Sequence, residues 1–481
     1  MISAFIKEQK RYSKTDLVSL FESDSDKIVG IIKKLKEYGI LKAVKASKNQ
    51  KDMSDLVEED IEIEDTETSD KNYYYVFTFV GVITVFGVVL KCYPKYIHSN
   101  EKPLRELSQI LKVTEKYNAK EQIIKMVNIS DDSKSFNLLA VMLYLLKDYF
   151  EYGVYENTMD IIETNGEGEI LWDKTINETF TFISKNRPYY MELYTQKNIN
   201  DELDYFKRLH ESIISICSTE LQESGLDELF GIPVANISDE ELDDFGNTED
   251  ILYRIQMELN QQFITRKQLL LKTMYAYVAQ NSHLSDETIL TMFGSNSFNL
   301  VWEKVCAEVM DNRLSDRVMD LPVNVPKINQ SAKIIELIEK PHWHGDDDNF
   351  VQDSKKTLKP DIVAINRDGD NYQFIILDAK YYNLTLEKEK IFGYPGVGDV
   401  TKQYLYQLAY KNFIDKVGFS AVKNCFLMPT EDEEIISVGH VNMKMLDELG
   451  LESIQIRKIP AAEIYDDYLR NKKFKIERLN I

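Results

Sequence analysis

The apolar positions change their period several times along this chain, and each change predicts a different kind of element. Ile28, Ile31, Ile32, Leu35 and Ile40 recur at helical spacing within residues 12–44. Ser13 followed by Asp16 suits the cap of a first helix, Ser25 that of a second running to about Tyr38, and Gly39 stops the second. Lys27, Lys33, Lys34 and Lys36 lie mostly away from its apolar stripe, and a short strand, ILKAV, follows. Residues 73–97, YYYVFTFVGVITVFGVVLKCYPKYI, are β-branched, aromatic and broken by glycines, which predicts a hairpin or small sheet and not a membrane helix. From about residue 102 to 295 the pattern reads as mostly helical. Its one interruption, TNGEGEILWDKTINETF (164–180), is a Gly-rich turn leading into a strand-like segment. From Ser297 the order becomes helix, strand, strand, helix, further strands and a closing helix, an α/β layout.

Composition refines this outline. At 481 residues the chain is long enough for two to four domains, and no apolar run could cross a bilayer. The N-terminus lacks signal-peptide organisation and the four cysteines are scattered, so reduced thiols in a cytoplasm are expected. A net charge of −22 argues against a nucleic-acid partner in general. Residues 1–50, however, carry eleven Lys/Arg against six Asp/Glu. Two helices and a strand, with the second helix basic, resemble a winged helix-turn-helix domain; small protein–protein modules use the same scaffold. The acidic stretches 58–70 and 238–250 read as solvated loops or linkers.

One stretch breaks the rule that buried strands avoid charge: LKPDIVAINRDGDNYQFIILDAKYY, residues 358–382. Taken as strands 361–365 and 372–380 about a turn at 366–371, it places Asp361 opposite Ile376, with Asp378 its diagonal neighbour on the same face. Lys380 shares that face. Two carboxylates so close repel unless a cation sits between them, and Mg2+, with Mn2+ as a substitute, is the oxygen-seeking choice. A metal-activated water beside a lysine is what phosphodiester hydrolysis requires. The preceding helix, SNSFNLVWEKVCAEVM (295–310), buries Phe298, Val301, Trp302, Val305 and Val309, and both Glu303 and Glu308 flank that stripe. Helix geometry does not choose between them. Beyond the lysine, Gln403 and Gln407 sit one turn apart on a helix that follows a glycine-punctuated loop.

Pro360-Asp361, sixteen residues, then Asp378-Ala379-Lys380 resembles the PD-(D/E)XK nuclease motif. Several further segments resemble the LlaJI-type restriction endonuclease family, relatives of the McrC nuclease subunit: FVGVITVFGVVLKCYPKY (79–96), NGEGEILWDKTIN (165–177), VWEKVC (301–306), LKPDIV (358–363), ILDAKYYN (376–383) and GDVTKQYLYQLAY (398–410). The resemblance implies a multidomain α/β protein. Beside the winged helix-turn-helix read from the residues at 1–50 and an acidic linker or wing loop at 51–72, it would comprise a β-hairpin plus helical partner-docking region at 73–295 and a PD-(D/E)XK nuclease domain at 296–481. It implies a Mg2+-dependent endonuclease of bacterial anti-phage defence, acting on double-stranded DNA together with a McrB-like ring-forming AAA+ GTPase. It favours Glu303 as the third acid beside Asp361 and Asp378 and offers Gln403 as a polar contributor, while the winged-helix reading assigns the second-helix lysines to DNA. No Gly-Lys-Ser/Thr phosphate loop is present, so nucleotide hydrolysis would fall to the partner. The competing expectation is a non-catalytic DNA-binding adaptor that stimulates the GTPase.

Overall fold

The computed structural model describes residues 1–22, 25–45, 73–127, 137–156, 158–200, 204–280, 283, 284, 286, 290–325, 328–346, 350–388, 390–447 and 449–481. The expected linker at 51–72 lies outside the described residues. The chain divides into two units, one built from 1–120 and 285–481, the other from 121–284; the division falls inside the expected 73–295 region.

In the first unit, β1 (Ile2–Lys7) and β2 (Arg11–Tyr12) precede α1 (Lys14–Phe21), whose capping box joins Ser13 and Asp16. α2 (Ser25–Glu37) and β3 (Leu41–Lys45) follow, and β4 (Tyr73–Phe77) pairs with both β2 and β3 in an antiparallel sheet of order β2-β4-β3. Next come β5 (Val80–Val85) and β6 (Val88–Tyr93), every residue of which is buried. A four-stranded sheet runs β1-β6-β5-β7, where β7 is Leu290–Ser295. The apolar faces of α1 and α2 share one core with this sheet: Leu17, Phe21, Ile28, Ile31 and Leu35 pack with Ile83, Val85 and Leu90. Residues 1–45 are therefore not an appendage.

β7 leads directly into α3 (Phe298–Val309), so the β5–β7 contact sets where that helix starts. Gly81 pairs with Gly294 there, and a Cβ on Gly294 would collide with the Val80 carbonyl oxygen. Gly294→Ala is expected to cost about 1–3 kcal/mol, read as a lower midpoint in chemical denaturation, because backbone must shift to admit one methyl group.

The second sheet has order β8-β9-β10-β12-β11, from β8 (Ile362–Asp368), β9 (Asn371–Ala379), β10 (Ala421–Thr430), β11 (Ile436–Val441) and β12 (Ile454–Pro460). β9, β10 and β12 are parallel, and α4 (Val397–Ala409) lies on the crossover from β9 to β10. α5 (Ala461–Leu469) stacks Tyr465 edge-on against Trp302 of α3, centroids 5.9 Å apart.

The second unit holds helices Leu138–Tyr152, Tyr205–Glu223, Thr248–Gln261 and Thr265–Gln280. It also holds strands the helical reading overlooked, Thr158–Thr164 paired with Tyr194–Asn200 and the hairpin Thr181–Ser184/Arg187–Tyr190. Their sequences, TMDIIET and YTQKNIN, are too polar to show an alternating stripe. The strand expected near 170 is only Glu169–Ile170, and a short helix, Trp172–Glu178, follows it.

Candidate active site

The β8–β9 hairpin turns on two residues, Gly369 (φ 61) and Asp370, so that Asp368 pairs with Asn371 and Ile362 with Leu377. One step further along this register Asp361 faces Asp378, not Ile376. The expected register was two residues off because the real turn centres between residues 369 and 370, one residue beyond the middle of the polar run NRDGDN. Asp361 and Asp378 still share a face, at the end of the hairpin away from the turn. Asn312 clamps the Asp361 backbone: its Nδ2 donates to the Asp361 carbonyl (2.7 Å) and its Oδ1 accepts from the Val363 N–H (3.1 Å). The Asp361 Oδ2 in turn accepts from the Ala379 N–H at 3.0 Å.

Lys380 closes the site. Its Nζ lies 3.0 Å from Asp378 Oδ2 and 2.9 Å from Asp399 Oδ1 in the first turn of α4. Its backbone N–H donates to the Leu427 carbonyl of β10 (2.8 Å), which also accepts from Trp302 Nε1 at 3.3 Å. A single carbonyl thus ties the helix that carries Glu303 to the strand end that carries the lysine. Glu303 is half-buried, while Glu308 is drawn into a 2.9 Å pair with Lys304.

The electrostatics follow from this crowding. Burial pushes the Asp361 carboxyl up to about 9, helped by the hydrogen bond to Asp378, by the charge of Asp378 and then by that of Glu303; the Ala379 N–H opposes the rise. Burial works against the Lys380 ammonium, but Asp378 and Asp399 outweigh it and hold the group above the usual lysine range. Lys380 is therefore a fixed cation, suited to orienting or neutralising an oxyanion and not to accepting a proton.

Two opposed, desolvated carboxylates that must hold a proton to coexist form a donor set a divalent cation would satisfy. Mg2+ is usually gripped by one or two carboxylates and keeps several waters. Among the described residues no three His, Cys, Asp or Glu side chains form a ready-made cage. Glu303 makes itself felt through its charge on Asp361.

Residues 79–464 match the family model of the LlaJI restriction endonuclease. The chain belongs to that family. It is 30% identical over 422 residues, 84% of this chain and 83% of the relative, to the YdjA component of the type II restriction enzyme BsuMI of Bacillus subtilis strain 168. It is also similar, at 13% identity and a TM-score of 0.40 over 98% of this chain and 99% of the other, to a chain in the solved half-complex from a tetradecameric assembly of Thermococcus gammatolerans McrB AAA+ hexamers with bound McrC.

Within this LlaJI-family chain, Gln403 is not gathered with the acids. It is fully buried, and its Nε2 donates to the Ile376 carbonyl (3.2 Å) and to Asn424 Oδ1 (3.4 Å), bracing β9 from behind. Gln407 accepts from Asn424 Nδ2 at 2.6 Å in the same brace. On α2, Lys33 and Lys36 are exposed and Lys27 half-buried. The Lys34 ammonium lies 5.7 Å from the Phe86 ring centroid and that of Lys36 lies 5.8 Å from Tyr75. Sequence reasoning missed Asp399 and Asn312, and also Tyr406, whose phenol is pushed up to about 12 by burial and the charges of Asp378 and Asp361. Only Asp399 left a signal, as the lone acid in the glycine-rich run that opens α4.

Proposed function

We propose that this chain is the DNA-cleaving subunit of a bacterial restriction system, hydrolysing phosphodiester bonds with Mg2+ on a PD-(D/E)XK site. The observation that carries the reading is Asp361 opposed to Asp378, with the Lys380 ammonium 3.0 Å from Asp378. A bound divalent ion would activate water and offset charge on the scissile phosphate. Asp361 and Asp378 would hold it, with Glu303 beside them. Lys380, kept charged by Asp378 and Asp399, would orient the attacked phosphoryl oxygen; Asn312 and the Ala379 N–H would keep Asp361 aimed.

The strand order β2-β4-β3 with α1 and α2 supports reading the N-terminal segment as a winged helix whose Lys27, Lys33, Lys34 and Lys36 approach DNA phosphates. Family resemblance and the absence of a phosphate loop support a separate McrB-like AAA+ GTPase. In the 121–284 unit, Phe180, Ile183 and Met191 stand 80%, 71% and 78% exposed at the 181–190 hairpin, which fits a docking surface for that ring. No helix among the described residues is long and apolar enough to cross a membrane, and a cytoplasmic site of action accords with the reading.

With the GTPase and GTP present, plasmid DNA is expected to be cut in Mg2+ or Mn2+ and left intact in EDTA; cutting that persists in EDTA refutes the metal mechanism. The incomplete carboxylate cage favours a second reading, a non-catalytic adaptor that stimulates the GTPase. Calorimetry separates the two: Mg2+ binding that vanishes in Asp361→Asn supports the nuclease, and no Mg2+ binding by the parent supports the adaptor.

A further inference from the structure

Glu303, Asp399 and Lys380 border a cleft of about 410 Å3 within the first unit. Lys42, Thr78 and Lys95 line it, as do Asn296, Asn299 and Lys380. A neighbouring cleft of about 530 Å3 shares Glu8, Gln9, Lys95 and Tyr382 with it and adds Lys7 and Lys10, together with Glu101 and Glu387. The two form a continuous trough leading away from the site, and Lys95 stands where they join.

Lys95 is held there by contacts to two rings and an amide. Its ammonium lies 4.7 Å from the Tyr381 ring centroid and 5.8 Å from that of Tyr382, and it donates to Gln9 Oε1 at 3.0 Å. Glu8 feels the Lys95 charge, and its Oε2 accepts from the Tyr381 hydroxyl (2.6 Å) and from the Lys95 backbone N–H (3.2 Å). Tyr381 directly follows Lys380, so the anchored ammonium and the catalytic one are set by consecutive residues of one strand end. A polyanion approaching a chain of net charge −22 needs local cations to hold it against the general field. Asn296 and Asn299 supply neutral hydrogen-bonding groups, which suit sugar and phosphate oxygens.

Resting on the nuclease reading, we propose that Lys95 and Lys42 grip the phosphate adjoining the scissile one, and that the cut strand continues through the trough past Gln9 towards Lys10. This is a backbone-positioning subsite and carries no base preference.

The test measures binding of a short labelled DNA duplex of mixed sequence to the full chain, in the Asp378→Asn background without divalent metal, from about 20 to about 200 mM salt. Lys95→Met keeps the aliphatic stem and removes the charge. It is expected to weaken binding about eightfold at 0.1 M salt and to lower the slope of log K against log salt by about one. Lys42→Met should do the same independently, so the proposal stays testable if one variant does not fold. Lys416→Met, on an exposed helix elsewhere, should change neither quantity. Parental binding with unchanged slopes in both folded variants overturns this subsite alone. A parent chain that binds no DNA even at the lowest salt overturns it together with the nuclease reading.

Discussion

Asp378→Asn is expected to lower DNA cleavage about a thousandfold while leaving the chain as stable as the parent, or more so. The kinetic loss has two sources. The amide no longer offers a charged oxygen to a divalent ion, and it weakens the 3.0 Å contact that orients Lys380. Removing one preorganised electrostatic group in such a site costs about two to three orders of magnitude. Stability should not suffer, because the substitution is isosteric, Lys380 keeps its Asp399 partner, and Asp361 no longer has a charged neighbour that forces it to hold a proton. Cleavage assays run beside thermal melts check both halves. An Asp378→Asn protein that still cuts DNA at the parental rate removes Asp378 from the mechanism.

The metal-free protein should lose stability as pH rises, the reverse of the usual behaviour of a paired carboxylate. In the unfolded chain Asp361 ionises near pH 4, whereas in the fold burial and the neighbouring acids push it up to about 9. Between those values the unfolded state has released the proton and the folded state retains it. Each rise in pH therefore favours unfolding, by at most about 1.4 kcal/mol per unit for one proton. Divalent metal takes the ionised pair, so Mg2+ should stabilise more strongly at pH 8 than at pH 6. Melting temperatures measured across this range in EDTA and in Mg2+ should diverge as pH rises, and Asp361→Asn should flatten both curves. A parental pH slope in that variant would show that Asp361 is not the strained group.

Residues 358–382 stand out in the sequence because two acids and a lysine in an apolar ribbon have no structural excuse. The register was less legible: NRDGDN offers several turn lengths, and only the chain's own pairing selects the two-residue turn at Gly369. Gln403 misled because a polar residue one turn from another looks solvent-facing, whereas here both serve a buried amide brace around Asn424. Other determinants are invisible to spacing altogether. Asn312 acts on Asp361 across an irregular segment, Glu8 meets Tyr381 from 373 positions away, and the Leu427 carbonyl is backbone, which no residue type advertises. Short polar strands in the 121–284 unit stayed hidden for want of an apolar face.

The pairing of β5 with β7, sealed by the 2.6 Å contact between Thr84 and Thr291, bridges 207 positions. Such distant closures slow folding. On the ribosome, residues 73–93 must wait for Leu290–Ser295 to emerge, and both aspartates of the hairpin come later still. On the proposed nuclease reading, a chain released before Asp361 and Asp378 are made would lack the means to cut, so its host's chromosome would be spared.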